Sequence, residues 1–105
     1  MQLRRHGRIP VEYSASFSSA SARGQGVVVN ISRGGCRARS TFLTQEDDSL
    51  GVVIRLPGSA NPLYVMRAII RWTYAQEFGM EFMDMEFSDR QRLNELIGTT
   101  AGPGD

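Results

Sequence analysis

The chain has 105 residues, 41% of them hydrophobic, with 12 arginines, no lysine, 11 acidic residues and a formal net charge of +1. That length suits one domain burying roughly two-thirds of its unfolded surface, and no apolar run approaches the roughly 18–20 residues that span a membrane. A single cysteine, Cys36, excludes an internal disulfide, and one histidine, His6, adds too little to it for a zinc site.

The first segment, residues 1–9, reads as a mobile arm in which Arg4, Arg5 and Arg8 place three guanidinium groups within five residues. It is basic and polar rather than apolar, so a secretory leader is not expected and a cytoplasmic, bacterial-type domain is. Val11, Tyr13, Ala15 and Phe17 then alternate with polar residues, the period of a half-buried strand. Ser18 to Gly26 reads as a hairpin loop. Val27, Val29 and Ile31 resume the alternation, Ser32-Arg33-Gly34-Gly35 turns the chain, and Cys36 to Ser40 returns with Arg37 and Arg39 on one face. After a polar connection, Leu50, Val52, Ile54 and Leu56 mark a fourth strand, and the Pro57–Pro62 cluster breaks it.

Leu63 to Thr73 is expected to be the longest strand, with Met66, Ala68, Ile70 and Trp72 on one face and Arg67 and Arg71 on the other. Phe78 to Met83 forms the last strand, with Phe78, Met80 and Phe82 inward. Phe42 and Phe87 are also assigned to the core, and Cys36 reads as a small buried apolar residue. Ser88 and Gln91 match a capping box ahead of Leu93, Leu96 and Ile97, which predicts a helix over 88–97 stopped by Gly98. The Gly/Pro-rich tail 99–105 is expected to be disordered. The sum is an all-β, six-stranded antiparallel barrel over 10–83 with a C-terminal helix.

Two stretches carry the functional chemistry. Residues 1–40 hold seven arginines and one acid, a charge of +6, whereas residues 41–105 hold five arginines and ten acids, a charge of −5. Arginine's donor fork suits phosphate oxygens and the O6/N7 edge of guanine. Asn30 and Ser32 add short directional polar groups, and Gly35 offers either a positive φ or bare backbone beneath a ligand. The pattern suits a small, anionic, purine-containing ligand.

Arg4-Arg5-x-x-Arg8, a strand pair, then Asn30-x-Ser32-x-x-Gly35 resembles the PilZ domain family, receptors for cyclic di-GMP in second-messenger signalling. The segments Ile69-Ile70-Arg71-Trp72 and Phe78-Gly79-Met80-Glu81-Phe82 look like that family's closing strands, so the resemblance covers about residues 2–98. It implies a split barrel in which Arg4 and Arg8 clamp phosphate and guanine. Arg5 would add a phosphate or stacking contact, and Asn30, Ser32 and Gly35 would form the floor. Trp72 resembles an aromatic that contacts a base in some members. Leu3 stands where an extra arginine favours an intercalated ligand pair, which points to one ligand per domain, while Arg5 keeps the pair open. His6, Arg33 and Gly34 fall at unconstrained positions.

The resemblance also implies a non-catalytic protein without a metal, relaying cyclic di-GMP to a downstream protein target, with motility and biofilm control as family-level outcomes. No nucleophile–base pair or phosphate loop points to an enzyme. Two alternatives stay open: a single-stranded nucleic-acid binder using the arm and Trp72 as a stacking platform, and a PilZ-like scaffold that no longer binds nucleotide. The ordinary role of Asn30 and Ser32, capping local backbone groups, can coexist with ligand binding.

Overall fold

The computed structural model describes residues 7–101. Six strands, β1 (Ile9–Ser18), β2 (Arg23–Ile31), β3 (Gly35–Arg39), β4 (Ser49–Ile54), β5 (Leu63–Tyr74) and β6 (Glu77–Asp84), are followed by helix α1 (Phe87–Ala101). The strands close into an antiparallel barrel in the order β1-β2-β3-β6-β5-β4, with β4 returning to β1. Closure leaves no continuous edge to template association. Inward residues from every strand form one core, including Phe17, Val28, Cys36, Leu50, Ile54, Val65, Ile70 and Phe78. Phe17 packs edge-on against Phe78, with ring centroids 5.3 Å apart.

The strand pattern holds where alternation is regular and fails where an extra residue interrupts it. Between Val28 and Asn30, β2 advances two residues while β3 advances one, so Val29 is the extra residue of a bulge. Val28 and Ile31 are buried and Val29 is only partly so, which corrects the expected Val27-Val29-Ile31 face. In β5, the register slips between Val65 and Ala68 against β4, and again between Ile70 and Trp72 against β6. Leu63, Val65, Ala68 and Ile70 therefore face the core, and Met66, expected inward, is 61% exposed.

The expected loop 18–26 shrinks to Ser19–Ala22, since Arg23 to Gly26 already pair with β1. Small residues permit this: a Cβ at Gly24 would meet the Phe42 ring, and one at Gly26 would meet the Arg39 carbonyl. Ile9, assigned to the arm, opens β1 and is buried, while Leu56 lies beyond the end of β4.

Helix α1 buries Leu93 and Ile97 in the core, with Leu96 packed beside them. It begins at Phe87, so Ser88 lies inside the first turn rather than in front of it, and the helix runs through Gly98 instead of stopping there. Phe87, assigned to the core, is 78% exposed, because the helix turns its Leu93–Ile97 stripe inward. Asp89 is buried and its Oδ1 accepts the Tyr64 N–H at 3.2 Å; Arg92 donates to the carbonyls of Pro62 and Asn61. These bonds pin the helix to the entrance of β5. Among the described residues, no helix is long and apolar enough to cross a membrane.

Candidate functional site

The β2 bulge decides where Asn30 points. It shifts the register beside Arg37, and Asn30 Oδ1 accepts the Arg37 N–H at 3.2 Å, so the side chain gives a main-chain donor next to the bulge an acceptor. The same oxygen accepts from Arg8 Nη1 at 2.7 Å. Because both partners are donors, Oδ1 is fixed toward them and Nδ2 is turned away. Arg8, 22 residues earlier in the chain, is thereby held at the start of β1, against the end of β2.

The following turn is built from its own backbone. Ser32 donates to the Gly35 carbonyl from both N–H (2.8 Å) and Oγ (3.3 Å), and Ser32 is buried. Gly34 O accepts the Phe82 N–H at 2.8 Å, and Arg33 O accepts from Arg90 Nη1 of α1 at 2.7 Å. The turn is thus tied to β6 and to the helix. Gly35 has no positive φ; a Cβ there would collide with the Met80 carbonyl. Its requirement is the close approach of β3 to β6.

On the far side, the β5 bulge at Arg71 re-aims two consecutive side chains. Arg71 and Trp72 are both exposed, although one of any two successive strand residues would normally face inward. The Trp72 indole lies over Gly79, its partner on β6, where any Cβ would overlap the ring. Trp72 remains 41% exposed. It stands outside the core face to which the alternation assigned it, available to a ligand.

These elements enclose an open cleft of about 670 Å³ lined by Arg8, Ser32 to Gly35, Arg71, Trp72 and Gly79 to Glu81. That size falls in the range of small-molecule sites. Of the residues singled out from sequence, Arg8, Ser32, Gly35 and Trp72 line it, and Asn30 joins it through Arg8. Arg4 and Arg5, with Leu3 and His6, lie outside the described residues. Arg33 and Gly34, given no role from sequence, are part of the wall. Arg71 and Glu81 were missed as site residues, because nothing in a period-two pattern reports a bulge. Arg71 Nε and Nη2 lie 2.8 and 2.7 Å from Glu81 Oε1.

Three guanidinium groups against one carboxylate give the described cleft a positive balance, which attracts anions. Cys36 is fully buried, and burial pushes its thiol from the ordinary 9.0 up to about 12, with Arg8 pulling weakly the other way. It is a packing residue. Among the described residues, no cluster of three His, Cys, Asp or Glu side chains could hold a metal.

A PilZ domain family model matches residues 2–98. Among solved structures, the Bacillus subtilis inhibitor of motility (MotI/DgrA) superimposes with a TM-score of 0.74 at 20% identity, covering 91% of this chain and 50% of that one. The PilZ domain of CeSA from a cellulose-synthesizing bacterium gives 0.71 at 16% identity, covering 91% and 99%. YcgR from Escherichia coli, solved in complex with c-di-GMP, gives 0.75 at 16%, covering 95% and 46%. The chain spans about half the length of the MotI and YcgR chains. No curated protein sequence matches it. The barrel is the fold these structures share, and with a family match over nearly its whole length the chain belongs to the PilZ domain family.

Proposed function

We propose that the chain is a non-catalytic receptor for cyclic di-GMP, bound in the cleft between the Asn30–Gly35 turn and Trp72. One observation carries the reading: Arg8 is bonded to Asn30 at the rim of a cleft that Ser32, Gly35 and Trp72 also line. Residues separated by up to 64 positions converge on one surface whose donors suit a ligand with two phosphates and two guanines. YcgR and MrkH, both solved in complex with c-di-GMP, share the barrel.

In this reading Arg8 and Arg4 clamp phosphate and guanine, Arg5 adds a phosphate or stacking contact, and Trp72 stacks on a base. The Arg8–Asn30 bond is exposed and can be exchanged for ligand contacts. Engagement of the ligand by Arg4, Arg5 and Arg8 then changes the surface offered to a downstream protein in the cytoplasm. The conformational entropy lost on that engagement is offset by charge-assisted bonds. One described aromatic face and a carboxylate at Glu81 suit a compact ligand better than a long single strand.

Trp72 is the chain's single tryptophan, so its emission reports on the cleft directly. Titration with cyclic di-GMP is expected to change that emission saturably, whereas GTP and cyclic di-AMP at equal concentration leave it nearly unchanged. No saturable response to cyclic di-GMP by fluorescence, together with no heat by calorimetry, overturns the proposal.

A further inference from the structure

Polar ligand groups of both kinds need partners, and the described cleft is short of acceptors. Arg8, Arg33 and Arg71 donate only, as does the Trp72 indole N–H. The carbonyls of Arg33, Gly34 and Gly35 already accept from Arg90, from Phe82 N–H and from Ser32. Asn30 Oδ1 accepts from Arg8 and Arg37, and exchange of the exposed Arg8 bond would free it for one ligand donor. The one charged acceptor among the described lining residues is Glu81.

Glu81 is also held in place. It meets Arg71 through Oε1 alone, at 2.7 and 2.8 Å, which leaves the two lone pairs of Oε2 for other donors. Along β6, Phe78, Met80 and Phe82 face the core, so Gly79 and Glu81 share the outer face. Trp72 lies over Gly79, and Glu81 stands two residues further on, about 7 Å along the strand. A purine stacked on the indole would direct one edge at the carboxylate.

Guanine presents N1–H and N2–H2 side by side on its Watson–Crick edge, two donors that an acceptor-only carboxylate can receive. Adenine places an acceptor at N1 and would be repelled. Resting on the cyclic di-GMP reading above, we infer that Glu81 is the specificity-determining residue of the cleft: its carboxylate, oriented by Arg71, accepts the N1–H and N2–H2 donors of one guanine. A carboxylate in an anion-binding cleft then selects the base at some cost in overall charge attraction.

The test compares cyclic di-GMP with cyclic di-IMP, its analogue without the 2-amino groups, on the parent protein, Glu81→Ala and Glu81→Gln. Glu81 is half exposed, and thermal unfolding checks that both variants fold. The parent is expected to prefer cyclic di-GMP about ten-fold, the lower end of what one bidentate base contact provides. Glu81→Ala should bring the two affinities within about two-fold by weakening cyclic di-GMP, and Glu81→Gln should fall between. An unchanged preference in Glu81→Ala, whether both affinities fall together or both rise, overturns the inference and leaves Glu81 as a holder of Arg71. A parent protein that binds neither ligand overturns the proposed function and this inference with it.

Discussion

Asn30 serves a donor beside the bulge and holds Arg8 with one oxygen, so its substitution should register in both stability and binding. Asn30→Ala removes the side-chain acceptor of the Arg37 N–H and frees Arg8. We expect a stability loss of about 1 kcal/mol in urea unfolding and at least ten-fold weaker cyclic di-GMP binding. Cys36 gives a prediction of a different kind. Its folded pKa, about 12, lies above the ordinary 9.0 because burial disfavours the thiolate, so its contribution is intact below about pH 9 and is lost as pH rises toward 12. Cys36→Ala should flatten that part of the stability-against-pH curve, and in the native protein the thiol should resist alkylation until the barrel unfolds. At this scale Arg8, Asn30, Ser32 and Gly35 were singled out by residue type and spacing and Trp72 by the family resemblance, and the structure gathers them at one cleft. Arg71 and Glu81 were not, since each reads alone as an ordinary solvated charge on a strand.

The cleft owes its shape to bulges and glycines, which are properties of strand pairs. The extra residue at Arg71 turns Trp72 out over Gly79. Gly79→Ala should displace the indole, changing tryptophan emission even without ligand and weakening binding. Gly35→Ala should force β3 away from the Met80 carbonyl, with a loss of about 1–3 kcal/mol in stability. The helix is the third support: Leu93 is fully buried, and Leu93→Ala should cost about 2–5 kcal/mol in urea unfolding. The existence and order of all six strands and the helix were readable, because apolar alternation and the Leu93–Ile97 stripe are local. Bulge positions were not, because each is fixed by its partner strand; Val29 and Met66 were misassigned for that reason. Phe87 was misassigned because its orientation depends on where the helix begins.

For the whole molecule, the uneven charge matters more than the net +1. Arginine predominates in the first forty residues and acid in the remainder, and in the described cleft three guanidinium groups outnumber one carboxylate. Attraction to a doubly charged ligand should therefore weaken as salt rises from 50 to 300 mM, by several-fold in Kd, as screening shortens the reach of the arginines. A binding site split between the start of β1 and the turn after β2 also requires the barrel to be closed, so ligand should raise the unfolding temperature. The most direct measurement is calorimetry of cyclic di-GMP into the parent protein and into Arg8→Ala. The account predicts one ligand per chain for the parent and a ten- to hundred-fold loss in the variant. Equal affinities in the two proteins would contradict it.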